Sequence, residues 1–287
     1  MLQSLPFVLV GAFASALVRR YVSGSVVARW MPRRPLPAVL VSCLFGFVAP
    51  VCDCGVVPLA RRLSAKGVPL HATVAFVVAA PVANPVVLLA TAVAFQGDWR
   101  VVALRAAMTL SVAIAVGLST SALFAPAGSR ARSPLPIGGG APDLAEPTPR
   151  ARPVPALVAH ATNEYFDVIF FIVLGALFTA ATQALIPRGD LTAVGSHPIG
   201  SVATLMPIAT LLSICSEADA FVARAFATSF SLGAVLAFMT IGQIVDLRNG
   251  LLLFRTLGAE LFLLIVGVSY GLVFLEAIAI NRLTPGL

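Results

Sequence analysis

The feature of this chain that most constrains its fold is a pattern of breaking and polar residues that occurs twice within apolar sequence. Residues 75–85 read AFVVAAPVANP, and residues 237–247 read AFMTIGQIVDL. The copies lie 162 residues apart, and each has a Phe, then Pro or Gln, then Asn or Asp: Phe76, Pro81 and Asn84, and Phe238, Gln243 and Asp246. Two apolar halves with matching breaks are typical of transporters built from repeats, in which the solute site lies near the membrane midplane.

The composition places both copies in a membrane. Hydrophobic residues make up 59% of the chain and charged residues only 11%, whereas a soluble domain carries about 25% charged residues. The net charge of +7 comes from short basic clusters between apolar stretches, such as 19–34 and 61–66. Such clusters are typical of loops that face anionic headgroups. We therefore predict a multi-pass protein of the bacterial inner membrane, with membrane lipid and no nucleic acid among its partners.

Apolar stretches predict an all-α fold, a polytopic transmembrane helix bundle of about eight spans. We expect helices near 5–18, 37–51, 70–96 and 101–124, and near 163–186, 199–214, 220–245 and 251–280. A span requires about 20 apolar residues, so some of these segments could instead be re-entrant. Basic loops favour the cytoplasmic side of the membrane. Four plain spans in each half would place the basic loops on opposite sides, so the orientation of the repeats stays open.

Three regions follow from this pattern. Residues 1–124 form the first transmembrane repeat, and residues 161–287 form the second, each with a broken helix. Residues 125–160 between them are rich in Pro, Gly and Arg and lack the apolar content of a core. We expect this segment to be a disordered linker.

Polar residues at the two breaks are candidates for substrate binding. A proline such as Pro81 frees backbone carbonyls, and in lipid such groups are tolerated only where they are buried or line a cavity. Asn84 could offer its amide to a solute, or it could cap the following half-helix. Gln243 and Asp246 occupy the matching positions in the second copy. A carboxylate within a membrane is a functional candidate, although Asp246 could also be solvated at a helix end.

Cysteines precede both breaks. Cys52 and Cys54 flank an aspartate, and Cys215 begins the sequence CSEAD, which also contains Glu217 and Asp219. Thiolates suit soft ions, but a C-x-C pair without histidine is a weak metal signal and free cysteine is often simply buried. We predict that the three cysteines line the solute path and form no closed metal site, and we expect no cofactor.

The carboxylates of the CSEAD segment have two readings. Glu217 and Asp219 could hold a proton and so couple transport to a proton gradient, or they could bind a cation. The alternative is a solvated loop in which Arg224 serves as their partner.

Four segments together resemble one family. The runs CDCGVVPLARRLSAKG, AFVVAAPVANP, CSEADAFVARAF and LAFMTIGQIVDLRN are similar to the predicted permeases that include the methylarsenite efflux permeases and the YraQ-like permeases. The resemblance implies two related halves and, for the arsenical exporters, export of trivalent organoarsenicals, with protons as the exchanged ion. It falls on Cys52, Cys54, Gly55, Pro58, Pro81, Asn84, Cys215, Glu217, Asp219 and Asp246. The chain departs from the family pattern at Gln243, where a proline is expected.

The sequence thus predicts a non-enzymatic secondary transporter that exports a small soft or thiol-reactive solute. Two alternatives stay open. One is a membrane thiol oxidoreductase that uses Cys52 and Cys54 as its redox pair. The other is a permease for an unrelated small ion or metabolite. We also leave open whether the protein forms a homo-oligomer.

Overall fold

All regular elements among the described residues are helices. The computed structural model describes residues 32, 34–48, 53–65, 67–124, 198–214, 216, 218–227 and 229–283. The predicted segments 5–18 and 163–186 and the linker 125–160 lie outside these residues. The described helices are α1 (Pro35–Val48), α2 (Asp53–Ala65), α3 (Leu70–Ala83), α4 (Pro85–Ala94), α5 (Trp99–Phe124), α6 (Pro198–Leu212), α7 (Asp219–Phe226), α8 (Leu232–Ile244), α9 (Leu247–Leu257) and α10 (Ala259–Leu283).

Helix α3 is the centre of the first group of helices. From Ala72 to Ala83 each of its residues is buried, and it packs against α1 and α5. Small residues permit this close approach, as is common between membrane helices. A Cβ added at Gly117 of α5 would lie 2.8 Å from Val39 and 3.1 Å from Ala75.

Helix α8 has the same position in the second group. Its residues from Gly233 to Ile244 are buried, and it packs against α6 and α10. Helix α8 also contacts α3 and α5, and α10 contacts α5. The two central helices therefore join the groups into one bundle, with its core made of Ala, Val, Leu and Met side chains.

Both central helices are interrupted near the repeated pattern. Helix α3 ends at Ala83 and α4 begins at Pro85, whereas α8 ends at Ile244 and α9 begins at Leu247. Helices α3 and α8 begin 162 residues apart, and so do α4 and α9. The predicted breaks are therefore present, and they occur at the residues that the sequence pattern marks.

Within the described residues, three helical stretches are long and apolar enough to cross a membrane: Leu70–Ala94, Trp99–Phe124 and Ala259–Leu283. Shorter apolar helices lie at Pro35–Phe47, Ile199–Leu212 and Leu232–Ile244. The described residues thus support a multi-pass helical membrane protein. The number of eight spans stays a prediction.

The helix bounds differ from the sequence prediction in three places. Helix α2 lies in a segment for which no helix is predicted. The segment 220–245, predicted as one helix, contains α7 and α8, separated at 227–231. The segment 251–280, predicted as a single helix, is also divided. Helix α9 ends at Leu257, and Gly258 takes a positive φ of 81° before α10 begins. Only a residue without Cβ takes this conformation readily, so Gly258 separates an amphipathic helix from a span.

The closest helix contact generates a prediction about stability. A Cβ at Gly233 would lie 2.2 Å from the Ala277 carbonyl oxygen and 2.6 Å from Asn281 Oδ1, and the Gly233 N–H donates to that oxygen at 2.8 Å. Backbone atoms cannot yield, so Gly233→Ala should push α8 from α10 and cost about 1–3 kcal/mol. Thermal unfolding of the purified protein in detergent measures this cost.

Gly271→Ala is the matched control, because nothing lies within 4 Å of an added Cβ at that position. We expect the control to unfold at the wild-type temperature. Equal unfolding temperatures for Gly233→Ala and wild type would contradict the packing of α8 on α10.

Candidate functional site

A buried ion pair joins helix α5 to helix α7. The Arg105 guanidinium donates to both carboxylate oxygens of Asp219, with Nη2–Oδ2 at 2.6 Å and Nη1–Oδ1 at 3.1 Å. The exposed fractions of the two side chains are 0% and 2%. This bidentate geometry is the strong form of an arginine–carboxylate pair. The pair connects residues that are 114 positions apart in sequence.

Helices α4 and α8 supply further partners of the guanidinium. Arg105 Nη1 donates to the Thr91 hydroxyl at 2.8 Å, and the same hydroxyl donates to the Val87 carbonyl. Arg105 Nη2 donates to the Met239 carbonyl at 3.3 Å, and Met239 Sδ lies 3.6 Å from Nη1. Four helices therefore meet around one cation.

Gln243 completes the coordination of the carboxylate. Its Nε2 donates to Asp219 Oδ2 at 3.0 Å and to the Ile214 carbonyl at 3.2 Å. Since Met239 and Gln243 are four residues apart on α8, they lie on one face. The residue that replaces the expected family proline thus has a structural role: it ties α8 to the segment before Cys215 and to Asp219.

The energetics explain why this cluster must stay intact. Removing a charge from water costs several kcal/mol per ion, and only good geometry with additional hydrogen bonds offsets that cost. Asp219 is also the first residue of α7, where the helix dipole favours a negative charge. The reading of Asp219 as a solvated residue paired with Arg224 is wrong. Asp219 is buried and pairs with Arg105, whereas exposed Arg224 lies 5.7 Å from the centre of the Phe95 ring.

Asn84 separates α3 from α4 and caps the second helix. It is buried, and its Oδ1 accepts from the Val87 N–H at 2.9 Å, while its Nδ2 donates to the Ala80 carbonyl at 3.3 Å. Pro85 follows at the first position of α4, where no backbone donor is needed. Pro81 lies inside α3 and is buried. The capping role predicted as one alternative for Asn84 is therefore present.

Asp246 lies at the break between α8 and α9 and is 2% exposed. Its carbonyl accepts from the Gly250 N–H at 2.8 Å. At the first residue of α9, the Leu247 N–H donates to Ser213 Oγ at 3.0 Å, which connects the break to the residue after α6. Asp246 therefore lies at a helix end, as one alternative predicted, but it is buried there and not solvated.

The cysteine segments lie at the starts of two short helices. Cys54 is the second residue of α2, whereas Cys52, Cys215 and Glu217 lie outside the described residues. Helix α2 packs against α9, and α7 packs against α4. Each short helix therefore contacts the half-helix that follows the break of the other group. Over the described ranges, no cluster of three His, Cys, Asp or Glu side chains could hold a metal ion.

The cation at the centre of this site was missed by the sequence analysis. Arg105 lies in the apolar stretch predicted at 101–124, and its partners Thr91 and Met239 lie in those predicted at 70–96 and 220–245. No role was predicted for any of the three. The available signal was a lone arginine within an apolar span, which requires a buried counter-charge. Asp219 and Gln243, by contrast, were both predicted as site residues, and the structure brings them together.

Comparison with known proteins places the chain among permeases. A family model described as "Predicted permease" (ArsP_1) matches residues 1–282. The UPF0718 protein YcgR of Bacillus subtilis is 36% identical over 253 residues, which cover 88% of this chain and 84% of that protein. No solved structure matches the chain.

A second relative comes from Streptococcus mutans. The protein named "Putative two-component membrane permease complex subunit" is 32% identical over 268 residues, which cover 93% of this chain and 88% of its own. Both relatives are similar over most of their length, so the comparison concerns whole proteins and not one segment.

The ion pair generates a prediction about stability. Arg105→Gln or Asp219→Asn leaves one buried charge without its counter-ion, and we expect a loss of about 3–5 kcal/mol in stability. Arg105→Gln combined with Asp219→Asn should cost less than the two single changes together, because it leaves no isolated charge. Thermal unfolding in detergent measures all three variants.

Arg224→Gln is the control, since this arginine lies on α7 as well but is exposed. It should unfold close to wild type. Additive losses in the double variant would contradict a direct pairing of Arg105 with Asp219.

Proposed function

Because the chain belongs to the predicted permease family ArsP_1, we propose that this multi-pass membrane permease is a secondary transporter that exports a small soft or thiol-reactive solute. Its two groups of helices act as homologous repeats, and a trivalent organoarsenical is the model solute. The export is coupled to protons.

The observation that carries the proposal is the charge cluster at the contact of the two groups. Arg105 and Thr91 belong to the first group, and Asp219, Met239 and Gln243 to the second. An ionisable group within the membrane is costly, so it is a candidate for a functional role. A cluster that joins two halves supports a mechanism in which one half rocks against the other.

The helix breaks support the location of the solute path. Secondary transporters bind their solutes where discontinuous helices expose backbone groups. Here the breaks at Asn84 and Asp246 follow the central helices α3 and α8, which pack against each other. We place the substrate site at these breaks. Asn84, Gln243 and Asp246 supply its polar side chains, and Pro81 frees backbone carbonyls.

The cysteines support the chemical class of the solute. The two cysteine-bearing segments precede or begin α2 and α7 in the sequence. Each of these short helices contacts a helix of the opposite group. Trivalent arsenicals bond to thiolates, which are soft ligands. We propose that Cys52, Cys54 and Cys215 pass such a solute along the path.

The export prediction concerns accumulation of trivalent methylarsenite in a sensitised bacterial strain. Cells with the wild-type protein should accumulate less than cells without it. Cys52→Ser with Cys54→Ser and Cys215→Ser should abolish this difference while leaving the protein in the membrane. Cys43→Ser is the matched control, because Cys43 is buried in α1. Full export by the triple variant would contradict the thiol path.

Asn84 variants separate capping from solute binding in the same assay. Asn84→Ser keeps a capping oxygen, whereas Asn84→Ala removes it at a cost of about 1 kcal/mol. We expect both variants to lose export, since the serine lacks the amide. If Asn84→Ser exports like wild type, Asn84 acts as a cap alone.

The oxidoreductase alternative makes a different prediction for the cysteines. An enzyme would cycle Cys52 and Cys54 between thiol and disulfide in cells, and alkylation of trapped protein would reveal both states. A transporter has no need of such cycling. Reduced thiols throughout growth therefore favour the permease.

A further inference from the structure

A second carboxylate lies in the membrane-spanning part of the bundle, outside the charge cluster. Glu276 belongs to α10, and Ser111 lies at the middle of α5; both helices are long and apolar enough to span a membrane. The Ser111 hydroxyl lies 2.5 Å from Glu276 Oε1. The contact joins residues 165 positions apart, at the packing of α5 on α10.

The hydrogen bonds of Ser111 determine which group carries the proton. Ser111 Oγ also lies 2.7 Å from the Met108 carbonyl oxygen. A carbonyl oxygen can only accept, and a hydroxyl has one proton to donate. The single serine proton cannot serve both the Met108 carbonyl and Glu276 Oε1 in full. A proton on the Glu276 carboxyl group, donated to Ser111 Oγ, makes both short contacts complete hydrogen bonds, whereas an ionised carboxylate has to share the serine proton with the carbonyl.

The other carboxyl oxygen leads to the same conclusion. Glu276 Oε2 is shielded from solvent and has no hydrogen-bond partner in the described part of the chain. An ionised oxygen in that position would carry negative charge without any donor, which is far more costly than burying a neutral acid. The two oxygens together favour the neutral form.

Charged groups on the neighbouring helices do not compensate this carboxyl. Helices α6 and α8, which pack on α10, have no charged residues. On α5, Arg105 is six residues before Ser111, about 120° around the helix, and is engaged by Asp219. The remaining charges are Arg100 at the start of α5, Arg248 and Arg255 on α9, and Glu260 and Arg282 near the ends of α10. Ser111 is the one hydrogen-bond or ion-pair partner of Glu276 among the described residues.

We propose that Glu276 is a proton-binding site, held as a neutral carboxylic acid that donates to Ser111, and that its release and uptake of a proton couple the permease to the proton gradient. The coupling role rests on the proposed transport function, whereas the proton-binding role does not. Asp219, which the sequence predicts together with Glu217 to carry the proton, is engaged by a guanidinium and an amide that both favour its ionised form. Glu276 has the opposite surroundings. It therefore replaces Asp219 as the carrier.

Infrared spectroscopy of the purified protein in lipid tests the proton without any substrate. A protonated carboxyl group gives a carbonyl stretch that is separate from the carboxylate bands and shifts in heavy water. At neutral pH, the difference spectrum between wild type and Glu276→Gln should contain this acid band. Glu260→Gln is the matched control, because Glu260 is exposed at the start of the same helix, and it should leave the acid band unchanged. A difference spectrum for Glu276→Gln with carboxylate bands alone would overturn the proposal.

A measurement on wild-type protein covers the case in which Glu276→Gln fails to fold. Dicyclohexylcarbodiimide is an apolar reagent that attacks protonated carboxyl groups, and mass spectrometry locates the adduct. We expect the adduct on Glu276 and none on Asp219. An adduct on Asp219 with Glu276 unmodified would overturn the assignment.

Proteoliposomes with an imposed pH gradient test the coupling. Methylarsenite transport by wild type should be faster with the gradient than without it, and Glu276→Gln should lose this stimulation. Stimulation of the variant equal to that of wild type would overturn the coupling role. If wild type does not transport methylarsenite, the proposed solute is wrong, and the infrared band still decides whether Glu276 holds the proton.

Discussion

The bundle depends on one buried arginine. Arg105 is fully buried, and its guanidinium makes hydrogen bonds to three other helices through Thr91, Asp219 and the Met239 carbonyl. A buried guanidinium requires its counter-charge and its hydrogen-bond acceptors to be placed with little freedom. The position of α7, which is short and is preceded and followed by breaks, is therefore set by the carboxylate at its first residue. Because this pair joins the two groups of helices, any motion that separates them must break it or carry it along.

Two carboxyl groups in the same bundle have opposite surroundings, and this contrast gives each a different task. Asp219 receives hydrogen bonds from Arg105 and Gln243, which suits an ionised group. Glu276 faces a single hydroxyl that it shares with a carbonyl oxygen, and its other oxygen has no partner among the described residues, which suits a neutral acid. Groups whose environments differ in this way take separate roles in acid–base chemistry. In the proposed permease, Asp219 holds the halves together, and Glu276 binds and releases the proton.

Much of the fold follows from local sequence. The breaks at Asn84 and Asp246 were predicted because Pro, Asn and Asp stop a helix for reasons that do not depend on the rest of the chain. The helices α1, α3, α5, α6 and α10 lie close to the predicted apolar stretches, because apolar length is a strong signal in a membrane protein. Helices α2, α7 and α9 were not predicted as separate elements. They are short and partly polar, and their positions depend on contacts with the opposite group of helices.

The site was predicted only in part, because its residues come together through contacts that are distant in sequence. Asp219 and Gln243 stood out as polar residues beside conspicuous motifs, whereas nothing in the sequence around Arg105 or Ser111 indicates which residue is its partner. Pairing of Arg105 with Asp219 spans 114 residues, and no periodicity of the sequence indicates such a contact. The residue type does give a warning, since an arginine or glutamate within an apolar span requires a partner. Treating Arg105 as one member of such a pair would have identified it as a candidate.

We propose that this permease moves a thiol-reactive solute out of the cell by means of the proton gradient. Everted membrane vesicles, in which export appears as uptake, test it most directly with radiolabelled trivalent methylarsenite. Vesicles with the wild-type protein should accumulate the label when the interior is made acidic, and a proton ionophore should abolish the accumulation. Equal uptake with and without the protein, with the protein present in the vesicle membrane, would contradict the account.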